Sequence, residues 1–279
     1  MERNAQEATG GKEVMNWWII QELIRTGYLS EKDRHSEQDV ESAISRFREF
    51  HGLPPGGADR AFERELGVAP KPRCGCPDIL DVRRRGGDGE GLCKIDDRPI
   101  TYGFKSFLDF TSRERQSELA KIAWSVWTRY ADIEVLEVGW SEANIVIGTG
   151  RGRRADFDGP GGTLAWCMLP CHRDTGLDLV FDMDESWTDQ LPAGGYIYYV
   201  HVLAHELGHA LGLGHAPVDR RNPNLMQPMY SERIGSLGPW DIKELHKRYP
   251  PRSDTSTSSL VDKIRVLVDG KEYRLAESS

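Results

Sequence analysis

The 279-residue chain has no apolar run of transmembrane length, no excess of positive charge and only five cysteines. The first absence removes a membrane span from the reading. The second is a matter of 36 Lys and Arg against 44 Asp and Glu, a net charge of −8. That balance argues against nucleic acid as the main partner and offers no basic face to a membrane surface. An export signal is also missing. Its best candidate core, Val14-Met15-Asn16-Trp17-Trp18-Ile19-Ile20, is broken by Asn16 and runs straight into Gln21-Glu22, with no small-residue cleavage site after it. This stretch reads as an amphipathic helix. Five cysteines leave one unpaired if the rest form disulfides. Cys74 with Cys76 and Cys167 with Cys171 are close pairs, and Cys93 stands alone. The C-x-C and C-x3-C spacings suit a four-thiolate zinc site poorly. Otherwise the composition is that of a globular chain, 38% apolar and 29% charged, long enough for two compact units.

What is present is concentrated in His205-Glu206-Leu207-Gly208-His209-Ala210-Leu211-Gly212-Leu213-Gly214-His215. His205 and His209, four apart, share one face of a helix. Gly212 lets the chain leave that helix in a backbone conformation costly to other residues, which brings His215 back as a third ligand. Three imidazoles leave a fourth tetrahedral position for water, the mark of a catalytic zinc site. Glu206 stands beside the first ligand, near enough to act as general base without ligating.

The full H-E-x-x-H-x-x-G-x-x-H string resembles the long zinc signature of the metzincins. That resemblance implies a methionine turn downstream, and Asn224-Leu225-Met226-Gln227-Pro228-Met229-Tyr230 supplies one, with Met226 as a soft base beneath the metal. Pro228-Met229-Tyr230 narrows the resemblance to the matrixins, in which the Pro-x-Tyr segment walls the pocket for the substrate side chain after the scissile bond. It extends over roughly residues 13–250. The fold it implies is α+β: a twisted, mostly parallel sheet with three main helices, preceded by a small helical prodomain.

Four parts are expected: a peptidoglycan-binding-like prodomain at 1–72, a switch and activation linker at 73–96, a catalytic domain at 97–251, and a Ser/Thr linker with a short hairpin at 252–279. Periodicity places prodomain helices over Val14 to Thr26, Asp39 to His51 and Ala61 to Leu66. Pro72-Arg73-Cys74-Gly75-Cys76-Pro77-Asp78 is similar to the matrixin cysteine switch. Cys74 would occupy the open zinc position in a latent form, with Arg73 and Asp78 clamping the loop. Cys76 stands at the variable position, and two readings stay open: competition for the zinc, or pairing with Cys93. The basic, Gly-rich stretch Arg83 to Gly91 is the expected activation cut. Strands are expected over Ile100 to Phe104, Ile133 to Val138 and Ala143 to Gly148. A helix from Glu114 to Tyr130 would turn Leu119, Ile122, Ala123, Val126 and Trp127 inward. Gly161 to Trp166 is expected as the edge strand of the cleft, where a peptide can add as another strand and the Ala165 backbone positions it.

Matrixins carry a second, structural zinc, but the aligned positions here are Arg151, Arg153, Trp166 and Val180, none of which ligates zinc. That site is expected to be absent, with Cys167–Cys171 as a compensating disulfide. Asp158, Gly159, Gly161, Thr163, Asp182 and Glu185 match the family's calcium loop, mixing carboxylates and carbonyls as a hard cation prefers. A further calcium position has Asn144 in place of its usual Asp, with Asp178 retained. Leu260 to Leu275 alternates around Asp269-Gly270 as a hairpin, unlike a hemopexin domain.

The resulting expectation is a zinc-dependent endopeptidase made as a latent zymogen. It is a monomer that cleaves protein or peptide substrates, with its own prodomain as intramolecular inhibitor. Extracellular location follows from the resemblance. The rival is a cell-wall-binding protein with a degenerate zinc domain.

Overall fold

The computed structural model describes residues 17–31, 34–67, 71–80, 92–171, 176–253, 264–268 and 271–274. Helices α1 (Trp17–Arg25), α2 (Glu37–Phe50) and α3 (Arg60–Leu66) come first. The Ser36 hydroxyl accepts from the Asp39 amide while the Asp39 carboxylate accepts from the Ser36 amide. This reciprocal cap starts α2 and stabilises it by about 1 kcal/mol. Asp59 caps α3 by accepting from the amides of Ala61 and Phe62. Val40, Ile44 and Phe47 form one face of α2, as their spacing predicts. They close over Ile19, Leu23, Phe62 and Leu66 in a small core of their own. The expected start of α1 at Val14 lies outside the described residues.

The chain continues through β1 (Arg73–Cys74), β2 (Ile100–Phe104), α4 (Arg113–Thr128), β3 (Val135–Glu137), β4 (Ile145–Gly150), β5 (Thr163–Cys167) and β6 (Leu177–Asp182). Then follow β7 (Trp187–Thr188), β8 (Ile197–Tyr198), α5 (Tyr199–Ala210), α6 (Pro239–His246), β9 (Ile264–Val268) and β10 (Lys271–Arg274). The main sheet runs β1-β5-β6-β4-β2-β3-β9-β10, and β7 pairs with β8 separately. Within it β5 is antiparallel to β6 and β10 to β9, and the remaining pairs are parallel. This is the α+β architecture expected.

Helices α4 and α5 pack together, joined where the Trp127 indole N–H donates to the Ala204 carbonyl at 2.8 Å. The buried face of α4 is Gln116, Leu119, Ala120, Ala123, Trp124 and Trp127. Ile122, expected to face inward, is 46% exposed. Leu119, Ala123 and Trp127 face inward as expected, and Ala120 and Trp124 complete the buried face in place of Ile122.

Three further expectations are corrected. The strand β5 is not an edge: β1 lies along it in parallel. Cys171 is bonded to Cys93, with Cα atoms 5.1 Å apart, leaving Cys74, Cys76 and Cys167 as buried thiols. That overturns both a Cys167–Cys171 disulfide and a Cys76–Cys93 pair. The physical reason is position, since the segment entering β2 passes the loop that follows β5, while Cys167 is buried within β5. In the tail β9 and β10 pair antiparallel, in keeping with the expected hairpin, and β9 also joins β3 in parallel register with Val135 opposite Ile264. The Asp269-Gly270 turn and the activation stretch from Arg83 to Gly91 lie outside the described residues.

Candidate active site

Helix α5 is buried along nearly its whole length and carries His205, Glu206 and His209. It ends at Leu211, and Gly212 turns the chain at φ +92°. A Cβ at Gly212 would also stand 1.9 Å from the Cys93 carbonyl oxygen. Glycine is therefore required twice over, by the turn and by the close approach. Beyond it His215 folds back, and its Nε2 lies 3.2 Å from both His205 Nε2 and His209 Nε2.

The tautomers follow from the other ring nitrogens. His205 Nδ1 donates to the Leu225 carbonyl at 2.7 Å, His209 Nδ1 to Leu213 at 2.8 Å, and His215 Nδ1 to Pro77 at 3.0 Å. A carbonyl can only accept, so each Nδ1 carries the proton and each neutral ring aims an Nε2 lone pair at the same point. Three lone pairs cannot satisfy one another. A cation between them can, and ligands at zinc's usual 2.0–2.1 Å would stand about 3.3 Å apart in a tetrahedron. The donor set therefore fits zinc, with its outer partners in place. Burial pushes His205 down to about 3 and lowers His215 as well. Burial would lower His209 too, but without a cation the negative charge of Cys76 and Glu206 beside it raises it to about 9, so its Nε2 lone pair is freed when a metal displaces that proton.

The fourth corner is taken by sulfur. Cys74 Sγ lies 3.4 Å from His209 Nε2, and its donor atom and the three histidine nitrogens all lie within 4.8 Å of one another. A second such set adds Cys76 and Glu206 to Cys74 and His209. Glu206 is fully buried, and neither of its oxygens has an N–H or O–H partner. Burial, with the Cys76 thiol adding to it, pushes its carboxyl up to about 8.

Segment 72–75 fills the cleft as a strand between two walls. The Arg73 amide donates to the Gly162 carbonyl and the Gly75 amide to Ala165, at 3.0 and 2.8 Å. On the other side the Cys74 amide donates to Pro228 and the Tyr230 amide to Pro72, both at 2.9 Å. Ala165, Pro228 and Tyr230 thus meet in one groove, with the backbone groups a bound peptide would use. The loop beyond is tied by the Arg73–Asp78 ion pair; Asp78 also accepts from Tyr28 at 3.3 Å and faces His51 at 2.9 Å.

Met226 is fully buried, its sulfur packed against Gly208 of α5. Its turn is held by Asp241, whose carboxylate accepts from the amides of Leu225, Met226 and Gly238 at 2.6, 3.1 and 2.8 Å. Sequence reasoning missed Asp241, since a lone aspartate at a helix start gives no signal. It also missed His201, one helical turn before His205. With Leu164, Val202, Tyr230 and Ile234 it lines a pocket opening beside Cys74.

The acidic cluster lies at the far end of β5. The Asp158 carboxylate accepts from the Thr163 amide at 2.7 Å, and Glu185 from Gly161 at 2.6 Å, around the turn that contains Gly159. Asp182 Oδ2 is buried without a partner. Burial raises Asp182 and Glu185, and the neighbouring carboxylates add to it. These three acids do not bring their oxygens as close together as the histidine set does. At the other aligned positions Arg151 pairs with Asp184 at 3.2 Å, and the Trp166 indole donates to Ala155. Asn144 accepts from Thr101 and donates to Asp97.

The family model described as Matrixin matches residues 94–250. Human (Homo sapiens) matrilysin is 32% identical over 259 residues, covering 90% of this chain and 91% of its own. Matrilysin of Rattus norvegicus is 32% identical over 256 residues, with 89% and 91% covered. Interstitial collagenase of Equus caballus is 34% identical over 197 residues, 70% of this chain and 40% of the collagenase. With its fold and histidine cluster agreeing, the chain belongs to the matrixin family and is a zinc metalloendopeptidase.

Proposed function

We propose that this chain is the latent form of the peptidase, with residues 1–72 as prodomain, 73–96 as switch and linker, 97–251 as catalytic domain and 252–279 as an appended tail. His205, His209 and His215 hold the zinc, and Cys74 takes its fourth position. One observation carries the reading: a sulfur and three Nε2 lone pairs converge on one point beside an unpartnered, buried carboxylate. Zinc bound there supplies Lewis acidity and lowers the pKa of a water. Once the pro-segment leaves, Glu206 takes the proton from the attacking water and delivers it to the departing amine. The Ala165 carbonyl and the Pro228 carbonyl, released from Gly75 and Cys74, hold the substrate backbone in extended form. The His201 pocket receives a side chain.

Asp158, Asp182 and Glu185, with backbone groups around Gly159, Gly161 and Thr163, hold a calcium ion, a reading supported by the orphaned Asp182 oxygen. Arg151, Arg153, Trp166 and Val180 leave no donor set for a second zinc. The chain acts as a monomer outside the cell, a setting that the Cys93–Cys171 disulfide supports. No helix among the described residues is long and apolar enough to cross a membrane. The cell-wall-binding alternative is not favoured, because the donor set is intact.

The test is turnover of a quenched generic peptide by the full chain before and after linker cleavage and reduction. Silence beforehand, activity afterwards, and its loss to a chelator with recovery on adding zinc are expected. A cut and reduced chain that stays silent with zinc present would overturn the assignment.

A further inference from the structure

We propose that Cys76 and Cys167 form a disulfide that latches the pro-segment covalently to β5. The proposal rests on the reading of Cys74 as the metal's fourth donor. With Cys74 held there and Cys93 bonded to Cys171, two thiols remain of the five. Both are buried, and they touch: Cys76 Sγ donates to the Cys167 carbonyl at 3.4 Å. β1 ends at Cys74, paired in parallel with Ala165, and the chain just beyond it carries Cys76 to the end of β5, where Cys167 lies. Gly75 permits this seating, since a Cβ there would stand 2.6 Å from Thr163 Cγ2 and 3.2 Å from Trp166 Cβ. Both sulfurs look toward Glu206, which adds to burial in raising the Cys167 thiol.

The bond forms during folding, while both thiols are still accessible. One cysteine thiolate attacks a small-molecule disulfide and releases one of its halves as a thiol. The second cysteine then attacks the mixed disulfide and releases the other half. Two protein thiols are oxidised, one disulfide is reduced to two thiols, and the S–H protons end on those products. The competing Cys74–Cys76 bond closes a strained ring of three residues and would remove the sulfur from the metal. The consequence is a two-input release. Cutting the linker leaves the pro-segment attached through residue 76, and a reductant must follow.

The test is disulfide mapping of the full chain, made under oxidising conditions, alkylated while denatured without reductant, digested and weighed. A Cys76–Cys167 cross-linked peptide with alkylated Cys74 is expected. A Cys74–Cys76 link, or alkylation of both Cys76 and Cys167, overturns the latch. Limited trypsin cleavage in the linker followed by a denaturing gel without reductant gives a second reading. The parent chain should stay one covalent species, and Cys167→Ser or Cys76→Ser should fall into two; separation of the parent overturns the proposal. Cobalt substitution reports Cys74 independently. Absence of the sulfur-to-cobalt absorption would remove the fourth-donor reading and leave the cross-link result standing.

Discussion

The His51 imidazole and the Asp78 carboxylate, 27 residues apart in sequence, meet at 2.9 Å with both side chains fully buried. This contact joins the end of α2 to the switch loop, with Glu65 on the other side of the ring at 3.6 Å. Burial alone would lower His51; the hydrogen bond to Asp78 and the nearby Glu65 carboxylate outweigh it and hold its pKa above 6.5. The His51 hydrogen bond, assisted by Lys71 and opposed by burial, lowers Glu65 to about 2. A raised histidine contributes in full below its ordinary value, and that contribution is lost as pH rises through the raised one. A depressed carboxyl contributes above its ordinary 4.5, and that is lost as pH falls toward about 2. Docking of α2 should therefore be tightest between about pH 4.5 and 6.5. Hydrogen exchange of α2 amides across pH checks this, and a flat profile would contradict it. His51→Gln should flatten the alkaline limb.

Glu206→Ala should keep the metal while the processed enzyme loses roughly 100- to 10,000-fold in turnover, the usual worth of a positioned general base. Metal analysis together with peptide turnover measures both. Full turnover in the variant would sink the assigned role.

Asp241→Ala would strand three backbone amides, two in the methionine turn and that of Gly238 at the start of α6. At about 1–3 kcal/mol for each unsatisfied group, partly relieved by relaxation, the cost should be about 3–5 kcal/mol. Thermal unfolding shows it, and a melting point equal to the parent's would refute the account. The Leu225 carbonyl that orients His205 sits in this turn, so metal affinity should fall too.

His201→Leu should redirect side-chain preference. His201 Nδ1 is buried without a partner in the pocket wall. Replacing it with an aliphatic group should favour large apolar side chains by about 10-fold in kcat/KM ratio. Peptide-library profiling of the processed enzyme decides, and an unchanged profile removes His201 from the pocket's selectivity.

The donor set was legible because its information is local. A four-residue helical spacing and one glycine place His205, His209 and His215 together, with no distant strand needing to be known. Val40, Ile44 and Phe47 were legible for the same reason. What escaped depends on pairs far apart in sequence. Nothing in the spacing of Cys93 says that it meets Cys171, or that β1 lies along β5 and turns an expected edge into an inner strand. Ile264 opposite Val135 is a pairing across the whole catalytic unit. On α4 Leu119, Ala123 and Trp127 were legible, but Ile122 stands at the margin of their stripe and Trp124 at the other margin, and sequence spacing alone does not say which margin the sheet covers. Asp78 was readable as the partner of Arg73, but its second partner His51 was not.

The Cys93 anchor gives the two ends of a linker cut unequal fates. Cys93 is stapled to Cys171, and its carbonyl accepts from the Arg248 guanidinium at 3.2 Å beside the Gly212 turn. The Ile95 amide is tied to the Tyr249 hydroxyl at 3.0 Å. A new terminus made upstream of this point stays moored to the floor that shapes the third histidine's turn. Maturation can therefore trim the front of the enzyme raggedly, and the spacing of the metal ligands will not record where the cut fell.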